Sequence, residues 1–348
     1  TMTALTTLKI GGTNTFPTNY SSILLATNSL VEYYGTNQTV RALSYGNLTL
    51  SATNTATKTM PGTAFSVAGN FTSTTSAGTL SYTAGNNITV GGNINIGASN
   101  IFTSTAFSHS FGGNWINNGT YNGCGSIVTA TGTGSTWSGS GVNNFGDLII
   151  SANGTIVNQN TSLSVCGNFS TTGGGSFTHN TGGTGTFTMT GISKTIAGSN
   201  IILDDLIIGT GGSISTTSTM SIAGDLTATG TFTCSGGTIG LTGAGKILSG
   251  TGALQFFALN VSGTITTARN QSIASNLSVT GSLTGTANTT TFNGTSTLSG
   301  TANLFNVTVA GASSLTMGTG ASLGIAGAVS SPGSFNPTSN VPNTVIYN

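Results

Sequence analysis

Apolar residues come at every second position in short bursts along this chain, as in Ile88-Thr-Val, Ile94-Asn-Ile and Asn306-Val-Thr-Val. Gly, Ser, Thr and Asn fill the intervals between bursts. A period of two puts one set of side chains on a buried face and the other in solvent, which is the pattern of short β-strands. No window sets apolar residues at i, i+3, i+4 and i+7 with good helix formers between them. The nearest approach to a helix, residues 21–25, is short enough to be strand as well. The chain reads as all-β.

The bursts repeat. One phrase returns as Asn47-Leu-Thr-Leu-Ser, Asp147-Leu-Ile-Ile-Ser, Asp205-Leu-Ile-Ile-Gly, Leu259-Asn-Val-Ser and Asn306-Val-Thr-Val-Ala. A second phrase follows each: Ser66-Val-Ala-Gly-Asn-Phe, Ser164-Val-Cys-Gly-Asn-Phe, Ser221-Ile-Ala-Gly-Asp-Leu, Ser272-Ile-Ala-Ser-Asn-Leu and Gly324-Ile-Ala-Gly-Ala-Val. Asn168, Asp225, Asn276 and Ala328 mark a long, nearly even step. Asn70, Asn93 and Asn114 mark a step less than half as long, so the long repeat holds two or three coils. A coil of about 20 residues with short alternating strands matches one rung of a β-solenoid. The expected fold is a single parallel β-solenoid (β-helix) of about 15 rungs. At a rung spacing near 4.8 Å it would run for about 70 Å.

Composition narrows the alternatives. The 54 glycines follow no Gly-X-Y period, which sets collagen aside. A hydrophobic content of 36%, only 3% charged residues and a mean hydropathy of +0.20 separate the chain from charge-rich disordered sequences. A solenoid can do with few charges, because each rung hydrogen-bonds its backbone to its neighbours and stacks inward Val, Ile, Leu and Phe on their equivalents. Thr and Asn then suit outward ladders and Gly the corners.

Pro17, Pro61, Pro332, Pro337 and Pro342 lie toward the two ends and leave residues 62–331 without a break. The expected organisation is therefore an N-terminal cap or joining segment at 1–60, a solenoid rod at 61–331 and a C-terminal joining segment at 332–348. Terminal repeats differ from internal ones because they cap or join.

The stretch Leu8-Lys-Ile-Gly-Gly-Thr-Asn-Thr-Phe-Pro, followed by Leu30-Val-Glu-Tyr-Tyr-Gly-Thr-Asn-Gln-Thr-Val-Arg-Ala-Leu-Ser-Tyr-Gly-Asn-Leu-Thr-Leu-Ser51, resembles repeats of large secreted surface proteins and adhesins of Bacteroidetes-type bacteria, with a filamentous-haemagglutinin-like architecture. The later Val-Ala-Gly-Asn-Phe phrases extend the likeness over most of the chain. The resemblance implies export and an extracellular or cell-surface location. It carries no catalytic residues with it.

The phrase Asn343-Thr-Val-Ile-Tyr-Asn348 reads like Asn28-Ser-Leu-Val-Glu-Tyr-Tyr34, and Phe335-Asn-Pro-Thr338 like Phe16-Pro-Thr18. Two explanations stand side by side. The sequence is a piece of a longer tandem array, or a second copy continues the stack by a heterologous head-to-tail contact. In the second case Leu8, Ile10 and Phe16 join one subunit to Val345, Ile346 and Tyr347 of another. The opening residues show neither a basic n-region nor an apolar h-region, and no run is long enough to span a bilayer as a helix; membrane insertion is not expected.

Enzyme chemistry finds little material. Solenoid polysaccharide lyases and hydrolases need clustered carboxylates, and this chain has only Glu32, Asp147, Asp204, Asp205 and Asp225. Asp204-Asp205 has the look of a dyad, yet Asp205 occupies the repeat position of Asn47, Asp147 and Asn306 and reads as a polar residue before a strand. His109 and His179 stand far apart along the chain with nothing to bring them together. The chain is read as non-enzymatic, without cofactor or metal. Six scattered Lys and Arg give no phosphate-tracking patch, so no nucleic acid is expected, and Gly132-Thr-Gly134 opens no helix. The copies also lack the Asp that calcium-binding nonapeptides carry.

Trp115, Tyr121 and Trp137 offer stacking surfaces for glycans, which makes a glycan-binding adhesin module the alternative function. An ice-binding role would need Thr-x-Thr at one fixed rung position, and the Thr positions wander between repeats. Fifteen Asn-x-Ser/Thr sequons follow mostly from composition, though a sugar coat would help so uncharged a surface stay soluble. Asn70 and Asn168 also recur where an internal Asn ladder could form. Cys124, Cys166 and Cys234 are an odd count. Cys166 takes the place of Ala68, Ala223 and Ala274 and reads as a small core residue, with a Cys124 to Cys166 bridge as the alternative in an oxidising compartment. The functional expectation is an extracellular structural protein that forms a cell-surface filament or stalk by self-association.

Overall fold

The computed structural model describes residues 1–20, 22–159, 162–179, 185–338 and 342–347. Among them there is no helix, and the strands are two to eleven residues long. Residue 21 of the short helical candidate lies outside the described residues, and 22–25 are not helical. Among the described residues the strands stack in parallel as a β-solenoid, with about 16 turns in all. Residues 1–177 and 178–348 form two compact units.

Each turn in the first unit carries three strands. Phe65–Val67, Phe71–Thr75 and Leu80–Thr83 pair in turn with Ile88–Val90, Ile94–Ile96 and Asn100–Thr103, each three strands further on. The period-two pattern sets which side chains turn inward, and the parallel register then stacks them into columns. One column runs Leu8, Val31, Leu48, Phe71, Ile94, Trp115 and Trp137. Another runs Gln38, Lys58, Tyr82, Phe102, Tyr121 and Asn143. All but Leu8 in the first column are closed from solvent.

The second unit repeats the scheme, with Leu206, Leu226 and Leu248 in one inward column. On an outward face Thr195, Ser215, Thr233, Gln255, Ser272, Thr291, Thr308 and Ser330 follow one another through eight turns. The register thus lines up hydroxyl and amide side chains whose spacing looks irregular along the sequence.

Stacking also explains the two alternating phrases. They are the same corner of successive turns. Leu48 lies under Phe71, Leu148 under Phe169, Leu206 under Leu226, Leu259 under Leu277 and Val307 under Val329. The repeating unit is one turn, and the long step of the sequence spans more than one.

The solenoid pairing extends into both expected end segments. Thr7–Ile10, Leu30–Tyr33 and Asn47–Ala52 stack like later strands, as do Ser334–Asn336 and Thr344–Tyr347. The prolines leave the pairing intact because they sit between strands, where no ladder hydrogen bond is required.

Candidate functional site

A corner of the turn holds a ladder of side-chain acceptors. Asn47 Oδ1 accepts from the backbone N–H of Asn70 at 2.8 Å, Asn70 Oδ1 from Asn93 at 2.9 Å, Asn93 Oδ1 from Asn114 at 2.8 Å, and Asn114 Oδ1 from Thr136 at 2.8 Å. Asp147 serves Asn168 in the same way, and in the second unit Asp205 serves Asp225, Asp225 serves Ile247 and Asn306 serves Ala328. At a corner the backbone turns out of ladder geometry, so an N–H is left over; a short acceptor one turn below takes it. Asn and Asp are interchangeable in this role because only the oxygen is used. Asp205 therefore has a structural bond, while its neighbour Asp204 is buried.

Trp115, Tyr121 and Trp137, expected as glycan platforms, lie in the core with 0–1% exposure. Their rings pack on one another and on Phe145, with centroids of Trp115 and Tyr121 5.0 Å apart and those of Trp137 and Phe145 5.4 Å apart. Trp115 Nε1 donates to Asn143 Oδ1 at 2.8 Å, and the Tyr121 hydroxyl shares a hydrogen bond with Ser126 Oγ at 3.1 Å. With polar tips satisfied inside, the rings gain more from burial than from a place at the surface. Aromatic side chains that do face solvent are Tyr20, Tyr34, Phe257 and Tyr347.

Of the residues expected to join subunits, Ile10 and Phe16 are buried within the first turn, and Leu8 is half-buried. Leu8 and Phe16 line a cleft of about 380 Å³ together with Met2, Pro17, Tyr20 and Leu24. Val345, Ile346 and Tyr347 are exposed, at 41%, 46% and 64%. Among the described residues Thr7–Ile10 pairs with one strand, Leu30–Tyr33, and Thr344–Tyr347 with one, Ser322–Ile325. Each leaves one strand edge unpaired. Lys9 and Glu32 form an outward ion pair at 2.9 Å beside the first edge.

Cys124 and Cys166 form a disulfide, with Cα atoms 5.6 Å apart. Cys166 is thus an outward residue, not a core filler; the buried thiol is Cys234. The register places Gly146 between the two cysteines, since Gly123, Phe145 and Val165 stack on one another.

Two buried polar groups have partners that the sequence did not indicate. His109 Nδ1 accepts the Ile88 backbone N–H at 3.2 Å, so Nε2 carries the proton and donates to Ser104 Oγ at 2.6 Å. Such a histidine cannot take the serine proton, and Ser104 is shut off from solvent. Burial holds the imidazole down to about 4. Lys58 is fully buried and donates to the carbonyls of Gly35 and Thr36 and to Gln38 Oε1. Among the described residues no group of three or more His, Cys, Asp and Glu side chains gathers as a metal site would.

Family models, curated proteins and solved structures yield no match to the chain. The fold defines its class: a repeat protein of the parallel β-solenoid type.

Proposed function

We propose that the chain is a non-enzymatic structural protein that forms an extracellular, cell-surface filament or stalk, with copies joining head to tail. The observation that carries this reading is the pair of unpaired parallel edges with matching alternation. Val345 and Tyr347 stack on Leu323 and Ile325, just as Leu8 and Ile10 stack against Val31 and Tyr33. A second copy would continue the stack by placing its Leu8 on Val345 and its Ile10 on Tyr347, with Lys9 beside Ile346. Since Ile10 and Phe16 are largely covered by their own turn, Leu8 and the backbone edge supply most of that side of the joint. The disulfide suits an oxidising, exported setting, and the resemblance to bacterial surface repeats points the same way.

Negative-stain electron microscopy over a range of concentrations tests this. Filaments that lengthen with concentration support it; single particles at every concentration overturn joining and leave a stalk segment. Mixing Lys9→Cys chains with Ile346→Cys chains under mild oxidation checks the register, with cross-linked pairs expected between the two variants and not within either.

A second reading, a glycan-binding adhesin, is favoured by one feature, the cleft that Tyr20 helps to line. A glycan array of the wild type against Tyr20→Ala decides it: binding that the variant loses supports the adhesin, and no bound glycan sinks it.

A further inference from the structure

Lys58 is one of six Lys and Arg residues in the chain, and it lies wholly inside the first unit with no carboxylate among its partners. Burying an ammonium without a counter-charge is costly, and what surrounds this one is specific. Its Nζ donates to Gln38 Oε1 at 2.6 Å. Gln38 is the residue stacked on Lys58 in the adjacent turn. The same Oε1 accepts the Gly35 backbone N–H at 2.9 Å, and Gln38 Nε2 is pinned by the carbonyls of Ile10 at 2.8 Å and Asn14 at 2.9 Å.

A primary amide is thus held still, with its carbonyl oxygen polarised by the Gly35 N–H and the lysine nitrogen lying against it. A C=O bond of about 1.2 Å puts Nζ within about 4 Å of the carbonyl carbon. We propose that Lys58 and Gln38 become joined by an isopeptide bond.

Nζ, as the free amine, attacks Cδ of Gln38. The Nζ–Cδ bond forms, and the Gly35 N–H supports the charge that develops on Oε1. One Nζ proton crosses to the departing nitrogen by way of Oε1, the Cδ–Nε2 bond breaks and ammonia leaves. No oxidant, metal or outside reactant enters. The reaction happens once per chain, so positioning can supply what an acid–base residue would otherwise provide, with effective molarities reaching about 10⁵ M or more for well-held pairs. Burial lowers the lysine to about 8, which keeps a useful fraction of free amine near neutral pH. The product exchanges a buried charge for a neutral amide and ties two adjacent turns together covalently.

The test is intact mass spectrometry of the purified full chain with a tryptic map. The expected mass is about 17 Da below the sequence value, one ammonia, beyond the loss of about 2 Da for the disulfide. Trypsin should then fail to cut after Lys58 and release residues 10–41 attached to 42–194. Gln38→Glu and Lys58→Met should each abolish the deficit attributable to ammonia. Wild-type chain with only the disulfide deficit, yielding free peptides 10–41 and 42–58, overturns the proposal whether or not the variants fold.

Discussion

Asn93 shows what a single side chain contributes here. It accepts from Asn114 N–H while its own N–H donates to Asn70, so it is a middle link of the corner ladder. Asn93→Ala leaves the Asn114 N–H without its acceptor in a part-buried corner and should cost about 1–2 kcal/mol. Asn93→Asp keeps the oxygen, as Asp147, Asp205 and Asp225 do at equivalent corners, and should cost less. Urea midpoints of the two variants measure the difference. His109 makes a second prediction at this scale. Its folded value of about 4 lies below the ordinary 6.5 because burial disfavours the charged ring. An unfolded chain therefore binds the extra proton first as pH falls. Stability from this group is complete above pH 6.5 and is lost as pH drops through 4, on the order of 3 kcal/mol at most. His109→Gln should flatten that part of the stability profile relative to wild type.

The first unit has its most distinctive element around residues 120–130, where the strand bulges between Gly123 and Ile127 and Gly125 takes a φ of +99°. The bulge carries Cys124 outward toward Cys166 over the intervening turn. Gly146 in that turn has no room for a methyl group, since an added Cβ would run into the Ser126 carbonyl. Gly146→Ala should therefore destabilise the unit and slow formation of the disulfide, read by thiol titration after oxidative refolding. Reducing the bridge should cost about 2–4 kcal/mol, in keeping with the long loop it closes. Corners, more than strands, decide tolerance to substitution: strand interiors accept Leu, Phe, Ile or Val on one column, but a corner has one backbone path.

Over the whole molecule, charge is nearly absent. Net charge is +1, and Lys9–Glu32 is the ion pair among the described residues. Cohesion comes from backbone pairing and apolar columns, which salt does not screen. The proposed joining of copies through strand edges should accordingly persist from low to high ionic strength, and sedimentation across a salt series would test it; association lost at high salt would point to a charge-driven contact instead. Protease access follows the same scarcity. With Lys58 and Arg269 buried, and Arg269 donating to the carbonyls of Ala228, Ser249 and Gly252, native chain offers trypsin few of its six sites. Cleavage after Lys9, which is exposed, should precede any cleavage after Lys58 or Arg269 in a time course.

Alternation in phrases such as Ile88-Thr-Val was enough to establish strands, and the even steps from Asn70 to Asn93 to Asn114 were enough to establish the length of a turn. Both are local properties: side-chain direction in a strand has a period of two, and a closed turn has a set path length. The recurring Asn and Asp could be read in advance as polar residues before a strand and as a possible Asn ladder, but their partner, a backbone N–H one turn away, leaves no trace in residue type. Everything else depended on which residues stack, and that follows from corner geometry summed over a turn. Only the tertiary structure showed that the two phrases are one position, that Trp115, Tyr121 and Trp137 face inward, and that Cys124 reaches Cys166. The same holds for Lys58 and Gln38: a whole turn of chain separates them, and parallel register alone puts an amine against an amide.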